Sequence, residues 1–303
     1  MSRSPLWLAP LLVAAALSGC TLAAGQEHPA PAPVTTSPTE ATRLAVIGDF
    51  GTRDAGEKAI ALAINTKDVM VELDGVVTLG DNVYPSGAPK YFDRAWTEPY
   101  GWLARTGVPV FASLGEHDDN SGPAATKELM SLLHMPGRWY AKRVGNVQLI
   151  VLDANDVGNE EQTRFLTKTL AAPRPTHARW RVVAFHQPAY SCSRHGSTPG
   201  VQRRWVPLFE RGGVDLVLNG HDHVYQRFAP IHGVTYVVSG AAGSSLYEMH
   251  ACPAGTPKPA VAAVTSHYVT LDATADRMLV EAISPTGALI DSVVLKPRRP
   301  EAP

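Results

Sequence analysis

The feature that most constrains this chain is where its polar residues stand relative to its apolar runs. At least five short runs of strand type end in Asp, Glu or His. RLAVIGD reaches Asp49 and VVTLGD reaches Asp81. VPVFASLGEH leads to Glu116 and His117, VVAFH to His186, and VDLVLNGHDH to His221 and His223. Runs this apolar read as strands buried on both faces, as in a parallel sheet covered by helices. In layered α/β proteins, ligands bind just beyond the carboxyl ends of such strands. One Gly-Asp after a strand is an ordinary turn, and a lone His is ordinarily satisfied by its surroundings. Acids and imidazoles at five strand ends together are the donor set of a metal site.

The remaining segments set the frame. Arg3 is the only charge before an apolar run from Leu6 to Leu17, too short to span a bilayer comfortably and of signal-peptide length. Residues 1–19 are therefore expected to be a signal peptide. Leu17-Ser18-Gly19-Cys20 resembles the bacterial lipobox, which implies a lipid on Cys20. The alternative is plain secretion, with cleavage near Ala23 or Ala24. Either way the chain is exported, as a membrane-anchored lipoprotein of the periplasm or cell surface, or otherwise secreted. Residues 20–41 carry the anchor Cys and a Pro/Ala/Thr-rich linker that cannot build a core. Residues 42–297 read as one domain and 298–303 as a frayed tail. In an oxidising compartment Cys192 and Cys252 are a disulfide candidate, against two free thiols. The 27 basic and 28 acidic side chains leave no global basic footprint, so no nucleic-acid binding is expected.

Strand-like and helix-like stretches alternate along the domain. Helices are expected over Ala55 to Val69, Tyr91 to Arg105, Glu160 to Ala171 and Val201 to Arg211. A hairpin is expected from Trp139 to Asp153 about Gly145-Asn146. The last third reads as strands, which suggests a second sheet in an α/β architecture. No P-loop, Rossmann glycine pattern or nucleophile elbow is present.

The five blocks have a recognisable order. GDFG at Gly48, GDNVY at Gly80, GEHD at Gly115, VAFH at Val183 and GHDH at Gly220 together resemble the purple acid phosphatases, within the calcineurin-like metallophosphoesterases. PAYSCSRHG from Pro188 resembles the loop that carries that family's third active-site His. The resemblance implies a four-layer metallophosphatase-type fold, a two-sheet β-sandwich flanked by helices. It implies two metal ions: one held by Asp49, Asp81, Tyr84 and His223, the other by Asp81, Glu116, His186 and His221. A Tyr84 phenolate implies Fe(III) in the first position, with a divalent Fe, Zn or Mn in the second. His117 and His195 would be catalytic. The implied activity is hydrolysis of phosphate monoesters outside the cytoplasm, by a hydroxide held on the metals. Two alternatives stay open: a phosphodiesterase of the same superfamily, and a non-catalytic surface binding protein on the same scaffold.

One position departs from the family, whose third block carries Asn where this chain has Glu116. Glu is one methylene longer and anionic. It could ligate and favour a harder ion, swing aside and weaken the second position, or mark a degenerate site. Asp118 could orient His117 or be a loop residue. Asn82 and Asn219 could bond phosphate or backbone. Tyr190, Tyr225 and Tyr247 are aromatic candidates for shaping substrate choice, against ordinary packing. His134, His177, His232, His250 and His267 are read as structural.

Overall fold

The computed structural model describes residues 41–298. The expected signal segment, Cys20, the linker up to residue 40 and tail residues 299–303 lie outside the described residues. The chain forms β1 (Thr42–Ile47), β2 (Gly75–Leu79) and β3 (Val110–Ser113), all parallel. Next come β4 (Tyr140–Val144) and β5 (Val147–Val151), paired across the expected Gly145-Asn146 turn. Then follow β6 (Trp180–Ala184), β7 (Leu216–Asn219), β8 (Tyr225–Arg227), β9 (Thr235–Ser239) and β10 (Val261–Ala263). The last strands are β11 (Tyr268–Ala273), β12 (Met278–Ile283) and β13 (Leu289–Leu295).

These strands make two mixed sheets, ordered β13-β12-β11-β1-β2-β3 and β10-β8-β9-β7-β6-β5-β4. The expectation that the late strands build the second sheet is corrected here. β11 pairs antiparallel with β1, so the late meander β11–β13 extends the sheet of the first strand. Periodicity identifies a strand but does not encode its partner.

The layering follows from which faces are apolar. Leu44 and Val46 of β1 join Val182, Ala184, Leu216 and Leu218 in the core between the sheets. Ala45 and Ile47, pointing the other way, pack with Ile60 and Ile64 of the helix Ala55–Val71. On the far side, Val183 and Val217 pack with Leu166 and Leu170 of the helix Glu160–Ala171 and with Phe209 of the helix Val206–Arg211. The result is helix, sheet, sheet, helix. Central strands buried on both faces explain why their sequences show runs and not alternation.

Helices depart from expectation where Pro intervenes. The stretch expected as one helix over Tyr91 to Arg105 is helical almost throughout but irregular: Pro89–Tyr91 is a 3-10 turn, Asp93–Thr97 is π-helical, and Glu98–Tyr100 and Trp102–Thr106 are α-helical. Pro99 lacks an N–H, so the regular ladder is broken at that position, while the Gly101 N–H still donates to Thr97 O at 3.0 Å. Val201 to Arg211 likewise divides into Pro199–Arg204 and Val206–Arg211, with Pro207 in the first turn of the second piece. The helix Pro123–Leu132 is additional to the expected ones. No helix among the described residues is long and apolar enough to cross a membrane.

One buried acid in this frame gives a stability prediction. Asp54 caps the helix Ala55–Val71 by accepting from the Glu57 N–H at 3.0 Å. Glu57 is itself fully buried, and its Oε2 accepts from the Arg53 N–H at 2.6 Å. Its Oε1 has no hydrogen-bond partner among the described residues. Burial pushes this carboxyl up to about 9 from 4.5. The folded state therefore keeps a proton that the unfolded state releases above pH 4.5, so stability falls as pH rises from there toward 9. Glu57→Gln removes that slope. Relative to wild type it is expected to gain on the order of a few kcal/mol between pH 5 and pH 8, read from urea melts. A difference that does not change with pH contradicts the assignment.

Candidate metal centre

Asp49, Asp81, Glu116, His186, and His221 with His223 lie just past the carboxyl ends of β1, β2, β3, β6 and β7 respectively. Three of these strands are in one sheet and two in the other, so the group forms where both sheets end. The turns that bring it together are tight. Asp49, Asp81 and His221 adopt φ of 56°, 52° and 71°. This left-handed region costs a non-glycine residue about 1–3 kcal/mol, and it persists only where surroundings fix it. Here the side chains supply bonds that offset the cost. Asp49 accepts the His221 N–H at 2.9 and 3.1 Å, and Asp81 accepts the His117 N–H at 3.0 Å. Two glycines allow the close approach. A Cβ on Gly115 would stand 2.1 Å from Asp81 Oδ1, and one on Gly220 would stand 2.5 Å from Asp49 Oδ2.

The imidazoles are aimed by backbone carbonyls. His186 Nδ1 donates to Leu79 O and His223 Nδ1 to Ser245 O, both at 2.7 Å. A carbonyl only accepts, so each Nε2 is left to face the carboxylates. His186 Nε2 lies 3.3 Å from Asp81 Oδ2 and 3.0 Å from Glu116 Oε2. His221 Nδ1 lies 3.1 Å from Glu116 Oε1. His223 Nε2 lies 3.4 Å from Asp49 Oδ1 and 3.2 Å from the Tyr84 hydroxyl. That hydroxyl donates to Asp81 Oδ2 at 2.9 Å. All seven candidate ligand residues therefore meet, and Glu116 points inward with them.

The electrostatics of the group call for positive charge. Burial raises the Asp49 carboxyl, an effect that His186 only partly opposes. Burial also acts to raise Asp81 and Glu116, but neighbouring imidazoles outweigh it and hold both below the usual carboxylate range. His186 shows the converse: burial would lower it, yet Asp81 and Asp49 drive it well above its ordinary value. Burial and the two aspartates push the Tyr84 phenol far up. Three carboxylates thus surround one fully buried imidazole. Three overlapping sets, Glu116-His186-His221, Asp49-Asp81-His186 and Asp81-Glu116-His117, each offer ligand atoms within 4.8 Å of one another. Nitrogen and anionic oxygen donors turned inward, with imidazole tautomers already fixed, fit metal ions.

Around this group stands a rim. His117 Nδ1 donates to Pro85 O at 2.7 Å and its ring packs on Tyr84 with centroids 4.5 Å apart. His195 packs on His221 at 4.2 Å, and burial with the nearby His221 charge holds it below its ordinary value. The His195 loop is fixed from below. Fully buried Asp222 accepts the His195 N–H at 2.9 Å and the Ser191 hydroxyl. Cys192 in that loop is bonded to Cys252. Tyr247 stacks on His223 at 3.9 Å and carries Arg194 on its ring. Of the three aromatic candidates only Tyr247 is at the site. Tyr190 packs against Tyr236, and Tyr225 donates to Asp291 in the core.

Residues 42–225 match the family described as calcineurin-like phosphoesterase. The chain belongs to that family. Relatives of this phosphoesterase include tartrate-resistant acid phosphatase type 5 of Mus musculus, 27% identical over 244 residues, or 68% of this chain and 74% of the relative. Purple acid phosphatase 4 of Arabidopsis thaliana is 24% identical over 241 residues, 70% of each chain. An uncharacterized protein of Mycobacterium tuberculosis, Rv2577, is 29% identical over 200 residues, 55% of this chain but only 38% of the relative's length. The phosphoesterase thus spans well under half of that relative. Among solved structures, purple acid phosphatase PPD1 from yellow lupin seeds has the same fold, with TM-score 0.70, 20% identity and coverage of 85% and 54%. So does GAP50, the anchor in the inner membrane complex of Plasmodium, with TM-score 0.73, 17% identity and coverage of 86% and 90%.

Other side chains hold the frame of the phosphoesterase centre. Asp118 does not bond His117. It accepts from Gly115 N–H, from Asn82 N–H and from the Asn82 amide at 2.7–2.9 Å, and so clamps the second block to the third. Asn82 and Asn219 are buried and serve the frame: Asn82 donates to Ser113 O and Asn219 to Phe185 O. Asp222, Gln187 and Asn155 were not singled out at all. Asp222 stands inside the GHDH block and Gln187 follows His186, which is the only sequence signal either carries. His232 pairs with Glu210, and buried His267 bonds Ser239, both away from the centre.

The glycine contacts yield a prediction that leaves every donor in place. Gly115→Ala must displace Asp81 or the third block. It is expected to weaken metal binding roughly 10-fold or more by calorimetric titration, the scale of a disturbed ligand support. Unchanged affinity would show that the approach of these strand ends is not what places Asp81.

Proposed function

We propose that this calcineurin-like phosphoesterase is a two-metal hydrolase of phosphate monoesters. The observation that carries the reading is the meeting of Asp49, Asp81, Tyr84, Glu116, His186, His221 and His223 with their donor atoms turned inward. Asp49, Tyr84 and His223 would hold one ion, and Glu116, His186 and His221 the other, with Asp81 shared. Phenolate, carboxylate and imidazole suit Fe(III) in the first position and divalent iron, zinc or manganese in the second. Two such ions, when bound, neutralise phosphate oxygens and acidify water.

The chain's own residues then act around the phosphate. His117 is held by Pro85 O through Nδ1, so Nε2 is the atom left to carry a proton to the departing oxygen. His195, on its stapled loop beside His221, would bond phosphate oxygens. Export, with a lipid on Cys20, is part of the same proposal, and the Cys192–Cys252 bond suits an oxidising compartment.

A binding protein on the same scaffold is the reading of a different class, and a solved fold-mate titled as an anchor makes the fold alone indecisive. The complete donor set favours catalysis. Turnover of p-nitrophenyl phosphate and its bis-ester by the metal-loaded protein separates the cases. The monoester is expected to be the better substrate by kcat/KM, and His117→Ala to lower kcat roughly 100-fold or more with metal content unchanged. Preference for the diester moves the assignment to a phosphodiesterase. No turnover of either ester supports the binding protein.

A further inference from the structure

Glu116 sits where the family resemblance leads one to expect a neutral amide, and its side chain is 38% exposed, so there is room for it to turn away. Its carboxylate has three polar partners among the described residues: His186 Nε2, His221 Nδ1 and the Gln187 side chain. The first two are hydrogen-bond donors only while those nitrogens carry protons. A metal ion would take their lone pairs and end both bonds. The Gln187 bond would persist.

The orientation of that amide is fixed without ambiguity. Gln187 Nε2 donates to Glu116 Oε2 at 3.1 Å and to Asn155 Oδ1 at 2.8 Å. Asn155 Nδ2 in turn donates to Gly115 O at 2.9 Å and to Asp119 Oδ2 at 3.1 Å. Arg138 bonds both Asp119 and Asp153, two residues before Asn155. With its nitrogen committed, Gln187 leaves Oε1 buried and without a partner among the described residues. A buried acceptor left unpaired is unfavourable, so the other end of the amide is what the position retains.

We propose that Gln187 is a positioning residue that locks Glu116 in its inward rotamer, making the carboxylate a standing ligand of the second metal position. The proposal rests on the reading of Glu116 as a ligand. Of the three roles open to Glu116, the lock selects the first: the longer, anionic side chain is prevented from swinging aside. Gln187 touches neither substrate nor the reacting atoms. It acts through Glu116.

The test is calorimetric titration of the metal-free full chain with Zn(II). Wild type is expected to show two binding events. Gln187→Met keeps the side-chain length and removes the donor, and it should weaken one event roughly 10-fold or more while leaving the other unchanged. Gln187→Leu should do the same should Met disturb packing. Glu116→Asn should weaken that same event, and Gln187→Met should add nothing further in the Glu116→Asn background. Wild-type binding by Gln187→Met and Gln187→Leu overturns the proposal, as does a loss that adds in full to that of Glu116→Asn. Should Glu116→Asn itself bind both ions as wild type does, the ligand reading falls and takes the proposal with it.

Discussion

Three carboxylates are held together at the convergence of two sheets, two of them almost wholly withdrawn from water. Anions in such a place are stable only beside compensating charge. Asp81 and Glu116 find part of it in the neighbouring imidazoles, whereas at Asp49 burial outweighs them. Much else in the structure follows from assembling that group. The left-handed turns at Asp49, Asp81 and His221, the glycines at 115 and 220, and the carbonyls that aim His186 and His223 all serve it. A cation in the group would also reverse the logic at Tyr84. The same acids that now hold its phenol protonated would be neutralised, and the phenolate would become the favoured form.

The supports fall into two arms. On one side, Asp118 ties Asn82 and Gly115 together, so the second and third blocks move as one. Gln187 and Asn155 extend that arm to the block of His186. On the other, Asp222 ties the loop of His195 to the turn that carries His221 and His223, and the Cys192–Cys252 bond ties the same loop to the segment after β9. The open face between His117, His195 and Tyr247 is where a phosphate would enter under the proposed function. The inner group supplies charge, and the rim supplies proton donors and shape.

Much of the architecture was legible in the sequence, for a physical reason. Strands buried on both faces are long apolar runs, and the polar residues that end them are conspicuous by contrast. The helix Glu160–Ala171 was readable because one face alone is buried. The helical run after Pro89 was readable too, but not its π-helical irregularity beside Pro99. Strand pairing was misread for β11–β13, because burial dictates a strand's faces and says nothing of its neighbours. Among the site residues, the ligand candidates announced themselves by type and place. Gln187, Asn155 and Asp222 did not, because a single amide or acid is ordinary in a loop and acquires its role only through partners distant in sequence.

This buried group of acids and imidazoles is proposed as the two-metal centre of a calcineurin-like phosphoesterase. Elemental analysis of the purified protein, paired with thermal melting before and after chelation, tests it most directly. Close to two metal ions per chain are expected, with a lower melting temperature once they are removed, because ions bound only by the folded state stabilise it. Less than one ion per chain after exposure to iron, zinc and manganese, with melting unmoved by chelation, would contradict it.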